Sequence, residues 1–250
     1  MSAPEGDAGD PRAPRAVDIV VPVYNEAASI DEFYARVRRT GLAEGLIFVD
    51  NASTDDTVAR ITGHPGVRLI RHASNQGYGA SIRDGVAASD AELVVIIDAD
   101  LEYPPEAIPE LLVALRTHPV VYGSRFLGRR PPPMPFLRRA GNRIFSRLFR
   151  RLFGVHTTDL YTGMKGFRRA ALPLERLRQN GFEHAAEMAV LIALSGLRIH
   201  EVPITYTPRR QGRSKMRHLP EALKLGAYIV RSWLRYVILK QPFPAPAARD

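Results

Sequence analysis

The sequence predicts an α/β fold, a mostly parallel sheet with helices on both faces and an amphipathic helix after it. Short β-branched runs alternate with stretches of helical period through the first half of the chain, and alternation at this spacing builds parallel sheets. Two of the runs, at residues 67–71 and 93–98, are nearly continuous in apolar residues between polar boundaries, as strands covered on both faces are. A chain of 250 residues with 45% hydrophobic content fills one core of this kind and leaves room for a short appendage.

Strands are expected at 17–23 (VDIVVPV), 46–50 (LIFVD), 67–71 and 93–98 (LVVIID), with helices at 27–40, 54–61 and 79–88 between them. Ser53 and Asp56 stand at the spacing of a capping box, which gives Asp55 and Asp56 a helix-starting role. In the second half, 104–117 opens on two prolines, which a first helical turn tolerates. A strand at 120–125, a stiff connector at 131–135, helices at 136–153 and 183–195 and a strand at 198–206 follow. Pro203 marks that last strand as a sheet edge or a bulge. Residues 219–240 make a final, strongly apolar helix.

The expected organisation is a disordered tail at 1–16, one domain at 17–216 with halves at 17–125 and 126–216, the amphipathic helix at 217–240, and a tail at 241–250. The first tail is rich in Pro, Ala and Gly and lacks the apolar core of a signal peptide.

The formal charge is +9, and its distribution says more than its size. Of 35 basic residues four are lysines and the rest arginines. From Leu111 to Thr158 there is no Asp or Glu, and that window holds ten arginines. Such a block expects an anionic partner: phosphate, acidic lipid or nucleic acid. The absence of cysteine excludes disulfides and cysteine-ligated zinc or iron–sulfur sites, and suits a reducing compartment.

In parallel sheets ligands bind beyond the carboxyl ends of the strands, and four polar clusters stand there. Asp98-Ala99-Asp100-Leu101-Glu102 closes the most hydrophobic strand. Two carboxylates one residue apart, where strand gives way to loop, can converge on a hard cation. Glu102 would add a third oxygen, and Mg²⁺ or Mn²⁺ would take the rest of its shell from a diphosphate and water. Strand-end acids facing solvent are common. The setting, after LVVII and before a Pro-Pro helix start, is what favours a site. Pro22-Val23-Tyr24-Asn25-Glu26 would put Tyr24 and Glu26 beside a nucleotide, and Asp50 or Asn51 could reach a base edge. In Asn75-Gln76-Gly77-Tyr78-Gly79 the glycines would let the backbone approach phosphate. Each cluster alone fits an ordinary turn equally well; four at consecutive strand ends point to one site.

The ordered set PVYNE, VDNASTDDT, NQGYGASIRDG, DADLEYPPE and GSRF resembles the inverting GT-A glycosyltransferases of family 2, in particular the dolichol-phosphate mannose synthase-like branch. The resemblance extends from about residue 17 to 216. It implies a GT-A, Rossmann-like fold and hexose transfer from a nucleotide diphosphate sugar, GDP-mannose or a UDP-sugar, to a polyprenyl or dolichyl phosphate. Motif by motif, it implies a donor site of Pro22, Tyr24, Glu26, Asp50, Asn51, Gly77 and Asp98. It puts metal positions at Asp98, Asp100 and Glu102, and catalytic or acceptor contacts at Arg125, Arg139, Asn142, Asp159, Arg213 and Lys215. Glu187 matches a family position as a helix-face residue near the site. Glu102 stands where the family often has Gln, Asn51 where it has a second Asp, and Thr162-Gly163-Met164-Lys165 where it reads Ser-Gly-Phe-Arg. The Gln-x-x-Arg-Trp motif of processive synthases is absent, the one tryptophan being Trp233 in SWLRY, so polymer synthesis is not expected.

A lipid phosphate arrives ionised and needs no base. An alcohol needs one, and Asp159 is the candidate for that role or for orienting an arginine. Arg213 and Lys215 follow Gly212 just beyond a strand, as in a loop that closes over the donor. Two helices favour the lipid. In 136–153, Arg139, Arg143, Arg147 and Arg150 recur at helical spacing, with Ile144, Phe145, Leu148, Phe149 and Leu152 as the apolar face. In 219–240, Lys224, Arg231 and Arg235 fall on one stripe. That helix would be about 33 Å long, enough to span, but its central arginines place it in the interface.

The expected protein is cytoplasmic and peripheral, on the inner face of a membrane with an anionic surface. A soluble alcohol acceptor is the alternative. A nucleotidyltransferase would carry a glycine-rich, lysine-containing loop where PVYNE stands, and a nucleic-acid binder would not set acids at its strand ends. No nucleic-acid partner is expected, and no oligomer signature is read.

Overall fold

The computed structural model describes residues 16–128, 134–208 and 218–244. Seven strands, β1 (Val17–Val23), β2 (Leu46–Asp50), β3 (Arg68–Arg71), β4 (Leu93–Ile96), β5 (Val120–Ser124), β6 (Lys165–Arg168) and β7 (His200–Pro203), form one sheet in the order β3-β2-β1-β4-β6-β5-β7. Strands β1 to β4 are mutually parallel, β6 runs antiparallel between β4 and β5, and β7 is parallel to β5. The chain winds outward from β1 through β2 to β3, then returns to place β4 on the other side of β1. That reversal opens a crevice at the carboxyl ends of β1 and β4, where ligands settle in open α/β sheets.

The helices are α1 (Ala27–Arg39), α2 (Thr57–Thr62), α3 (Tyr78–Ala87), α4 (Ile108–Leu115), α5 (Phe136–Phe153), α6 (His184–Leu194) and α7 (His218–Ser232), the last running on as a π-helix over Trp233–Ile238. Side chains alternate across a strand, so β1 feeds two layers. Ile19, Val21 and Val23 pack with Ile30 and Phe33 of α1 and Leu111 of α4. Val20 joins Ile82 and Val86 of α3, Phe149 of α5 and the apolar residues of α6. Helix α6 is buried from His184 to Ile192 and is packed by α7, the interior place that an all-round apolar helix requires.

β1, β2 and α5 have the bounds read from the sequence, and Pro203 does stand in an edge strand. Other expectations need correction. β3 is half-buried, not covered on both faces, because it is the opposite edge of the sheet. Ser53 does not cap α2. Its Oγ accepts the Asn25 N–H (2.9 Å), and Asp55 Oδ1 takes the Thr57 N–H instead (3.0 Å). β6 was not foreseen: Lys165-Gly166-Phe167-Arg168 is too short to show a period and exists through its pairing with β4 and β5. On α5, Phe149 is buried and Phe145, Leu148 and Leu152 pack on the core, but Ile144 is 60% exposed beside Phe136 and Leu137. Among the described residues no helix is long and apolar enough to cross a membrane.

Candidate active site

β1, β2 and β4 are each followed by a non-glycine residue in the left-handed region: Asn25 (φ 51°), Ala52 (φ 65°) and Leu101 (φ 62°). Such residues are uncommon and gather where a scaffold must turn sharply around a site. The first two turns are laced together. Asn25 Oδ1 accepts the Thr54 N–H (2.7 Å), and the Glu26 N–H donates to Thr57 Oγ1 (2.8 Å). Pro22 is buried opposite Val49 in the sheet, which leaves Tyr24 and Glu26 half-buried at the rim.

Asp50 is 1% exposed and accepts the Ser53 N–H on both oxygens (3.2 and 3.3 Å). Asn51 is not an open base contact. Its Oδ1 accepts the Gln76 N–H (2.7 Å) and meets His72 Nδ1 (3.1 Å), while Nδ2 donates to Asn75 Oδ1 (3.0 Å). It braces the turn before α3. That turn needs Gly77, which has φ 99° and would drive a Cβ into the Asn180 carbonyl. The Gly79 N–H donates to the same carbonyl (2.7 Å). At Gly77 and Gly79 the close approach is therefore made by residues 179 and 180 of the chain itself, not by an open phosphate cradle.

Asp98 is held on one oxygen by the Tyr78 hydroxyl (2.8 Å). Gly163 lies against the other, where any Cβ would overlap it. Nearby Lys165 is buried and donates to the Thr162 carbonyl. Burial lowers its ammonium to about 8; Asp98 and Asp159 oppose that fall and Arg125 adds to it. Asp100, also buried, accepts the Glu102 N–H on Oδ1 (2.9 Å). The Glu102 carboxylate is bonded by the Tyr206 hydroxyl, which burial first and then Glu102 raise above its ordinary pKa. Among the described residues no three acidic, histidine or cysteine side chains gather as a preformed metal cage. The three oxygens expected from Asp98, Asp100 and Glu102 are therefore not gathered in advance among the described residues; Tyr78 bonds Asp98 from α3 and Tyr206 bonds Glu102 from beyond β7.

Arg125 follows β5 and meets Asp159 as a fork: Nε to Oδ2 at 2.7 Å and Nη2 to Oδ1 at 2.8 Å. The rings of Tyr103, Phe126 and Tyr206 surround the guanidinium at 5.4, 5.7 and 5.9 Å. Burial opposes its charge, yet Asp159 holds it above the ordinary guanidinium range. The Asp159 loop is fixed in turn by Glu201 of β7, whose Oε1 accepts the N–H groups of Thr158 (2.9 Å) and Asp159 (3.1 Å). Asn142, expected at the acceptor, is buried and donates from Nδ2 to the Thr158 carbonyl (2.7 Å), while its Oδ1 has no hydrogen-bond partner among the described residues. Arg139 lines a shallow groove of about 460 Å³ on α5 with Phe136, Arg143, Ile144 and Arg147. Arg213 and Lys215 lie outside the described residues.

The fold therefore places Tyr24, Glu26, Asp50, Asp98, Asp100 and Glu102 along one edge of the sheet, after β1, β2 and β4, with the Arg125–Asp159 pair after β5. Sequence reading missed Tyr78, Tyr206 and Glu201. Tyr78 alone left a trace, since it stands inside the NQGYG cluster.

A sequence model of glycosyl transferase family 2 matches residues 18–173, the span that carries β1 to β6 together with Asp50, Asp98, Asp100, Arg125 and Asp159. The chain belongs to glycosyl transferase family 2. This glycosyltransferase is 35% identical to the dolichyl-phosphate hexose transferase of Haloferax volcanii, over 85% of this chain and 92% of that protein. It is 31% identical to the undecaprenyl-phosphate mannosyltransferase of Micrococcus luteus, over 79% and 86%. It is 34% identical to glycosyltransferase AglJ of Haloferax volcanii, of which the chain spans only 65%. Among solved structures, glucosyl-3-phosphoglycerate synthase from Mycobacterium tuberculosis, in complex with Mn²⁺, UDP and glucosyl-3-phosphoglycerate, superposes with a TM-score of 0.66. Identity is 21%, over 91% of this chain and 81% of that one. The fold is GT-A-like, as the sequence led us to expect.

Proposed function

We propose that this glycosyltransferase moves a hexose, with inversion, from a nucleotide diphosphate sugar to a polyprenyl phosphate at a membrane surface, using Mg²⁺ or Mn²⁺. The observation that carries the reading is the condition of Asp159. Its carboxylate is fully buried and both oxygens are taken by Arg125, so it is poorly placed to accept a proton. An alcohol acceptor needs such a base within reach; a phosphate monoester brings its own ionised oxygen to the anomeric carbon as the bond to the leaving diphosphate breaks. The relatives named for dolichyl- and undecaprenyl-phosphate transfer support the same acceptor class.

The nucleotide would occupy the crevice between β1 and β4, with Tyr24, Glu26 and Asp50 on its base side. Asp100, with Asp98, would hold the metal, and the chemistry fits without a third carboxylate. Mg²⁺ in nucleotide sites is held by one or two carboxylates plus phosphate oxygens and water, and Mn²⁺ suits the same ligands. When bound, the ion supplies positive charge for the departing diphosphate. Arg125 keeps a fixed cation near the reacting groups, and Arg139 stands at the lip of α5 to meet an entering anion. Arg213 and Lys215 retain the diphosphate role that the resemblance implies.

The membrane reading is supported by the outer face of α5 and α7, which pack together where Gly226 meets Phe145. Phe136, Leu137 and Ile144 of α5, Leu223 of α7 and Leu234 and Ile238 of the π-helix that continues it are exposed, interleaved with arginines. A face of this composition inserts shallowly while its cations pair with anionic headgroups.

The test is a thermal-shift series of GDP- and UDP-sugars with and without Mn²⁺, followed by transfer assays on polyprenyl phosphate and on simple alcohols. Metal-dependent donor stabilisation and product on the lipid phosphate are expected. Transfer to alcohols alone would reject the acceptor; no response to any nucleotide sugar would reject the donor site as well.

A further inference from the structure

Glu187 lies on α6, is 2% exposed, and its neighbours Ala186, Met188, Ala189 and Val190 are all apolar and buried. A carboxylate among them is costly unless its hydrogen bonds are met. They are, by backbone. Oε1 and Oε2 both accept the Arg178 N–H (2.9 Å each), and Oε2 also accepts the Gln179 N–H (2.8 Å). The Tyr228 hydroxyl of α7 bonds the same carboxylate.

The segment so held is the one that closes on the turn before α3. The Asn180 carbonyl accepts the Gly79 N–H (2.7 Å), and Asn180 Oδ1 accepts Arg83 Nη2 (2.8 Å). The Phe182 ring stacks on Tyr78 at 5.5 Å, and Tyr78 in turn donates to Asp98. Just upstream, Arg176 donates to the carbonyls of Phe243 (2.6 Å) and Pro244 (2.8 Å), with its guanidinium over the Phe243 ring. The part of the chain after residue 218 therefore meets this segment directly at Arg176 and, through the bond of Tyr228 to Glu187, indirectly at residues 178 and 179.

We infer that Glu187 is a positioning residue of the donor site: by fixing the backbone of residues 178–180 it seats Tyr78, and through Tyr78 the Asp98 carboxylate, with Tyr228 making α7 part of the same bracket. The inference rests on the donor-site reading above. An apolar residue would fill the space; only an acceptor of N–H bonds can set the loop.

The test compares Glu187→Ala, Glu187→Gln and Tyr228→Phe, each assayed below its own melting temperature. Donor Kd is measured without acceptor, and both KM values and kcat are then taken by turnover. Loss of bonds to a charged group at this distance from the ligand should raise donor Kd and KM by about tenfold in Glu187→Ala while acceptor KM stays within about twofold. Glu187→Gln keeps a carbonyl oxygen for the same N–H groups and should recover most of the loss. Tyr228→Phe should fall between. A general loss of stability would lower the melting temperature without separating the two KM values. Equal shifts in both KM values, or an unchanged donor Kd in a folded Glu187→Ala, would overturn the inference. Should Glu187→Ala fail to fold, an unchanged donor Kd in both Glu187→Gln and Tyr228→Phe would overturn it equally. A wild-type protein that binds no nucleotide sugar would overturn the donor-site reading beneath it, which separates the two failures.

Discussion

Asp159 accepts the Nε hydrogen of Arg125 on Oδ2 and an Nη2 hydrogen on Oδ1, and no part of the acid meets solvent. Breaking one partner of such a buried pair strands the other charge. Asp159→Asn should therefore cost about 3–5 kcal/mol in urea unfolding and abolish transfer. The double change Arg125→Met with Asp159→Leu should regain most of that stability without regaining transfer. If Asp159 were instead a proton acceptor, Asp159→Asn would lose kcat at nearly full stability, and the phosphate-acceptor argument would lose its support.

Gly163 decides where Asp98 can stand. A Cβ there would overlap Asp98 Oδ2 and come within 2.7 Å of the Tyr103 ring. Neither neighbour is loose: Asp98 is tied to Tyr78 and Tyr103 is buried against Arg125. Gly163→Ala should consequently raise donor KM by about tenfold or more, since about 1.4 kcal/mol of displaced contact suffices. Metal-dependent thermal stabilisation by the donor should shrink in parallel. An alanine variant with wild-type donor affinity would show that Asp98 is not part of the site.

Much of this was readable in advance, and the failures share a cause. β1, β2 and α5 announce themselves by period and length. β6 is four residues with a glycine and two cations, and only its partners on either side make it a strand. Asn51 and Asn142 stand out in the sequence without showing which groups of the chain partner them. Those partners, Asn75 and Gln76 for one and the Thr158 carbonyl for the other, are supplied by chain folding back from a distance. Tyr206 reaches Glu102 from about a hundred residues away. Spacing along a sequence shows which residues can act together locally; it carries no record of what the fold brings against them.

His184 should make the protein acid-sensitive well above the carboxylate range. It is buried at the start of α6, and burial, followed by the charges of Lys165 and Arg83, lowers its pKa to about 3. In the unfolded chain it takes a proton below about pH 6.5. Its contribution is therefore fully present above that pH and is lost progressively as pH falls toward 3, by at most about 1.4 kcal/mol per pH unit. Urea titrations at pH 7, 6 and 5 should show this slope in the wild type and a shallower one in His184→Leu. Parallel slopes would mean that His184 accepts a proton in the fold.

The outer face of α5 and α7 predicts how the protein should respond to lipid. Leu223 is 68% exposed and Ile238 52%, beside half-exposed Leu234 and the basic Arg231 and Arg235. Burying one such side chain in a bilayer surface contributes about 1.5–3 kcal/mol when complete, and each cation near an anionic leaflet about 1 kcal/mol. The two terms separate by experiment. Sedimentation with anionic vesicles should exceed that with neutral ones and should fall as salt rises, because screening acts on the charges alone. Arg143→Glu with Arg147→Glu should remove the salt-sensitive part. Leu234→Ser with Ile238→Ser should weaken binding by at least about tenfold at every salt concentration, since the lost apolar term is not screened. Transfer to a water-soluble, short-chain polyprenyl phosphate should survive both pairs of changes, because neither touches the strand-end site. Equal binding to neutral and anionic vesicles, with no effect of either pair, would reject the face as a membrane contact.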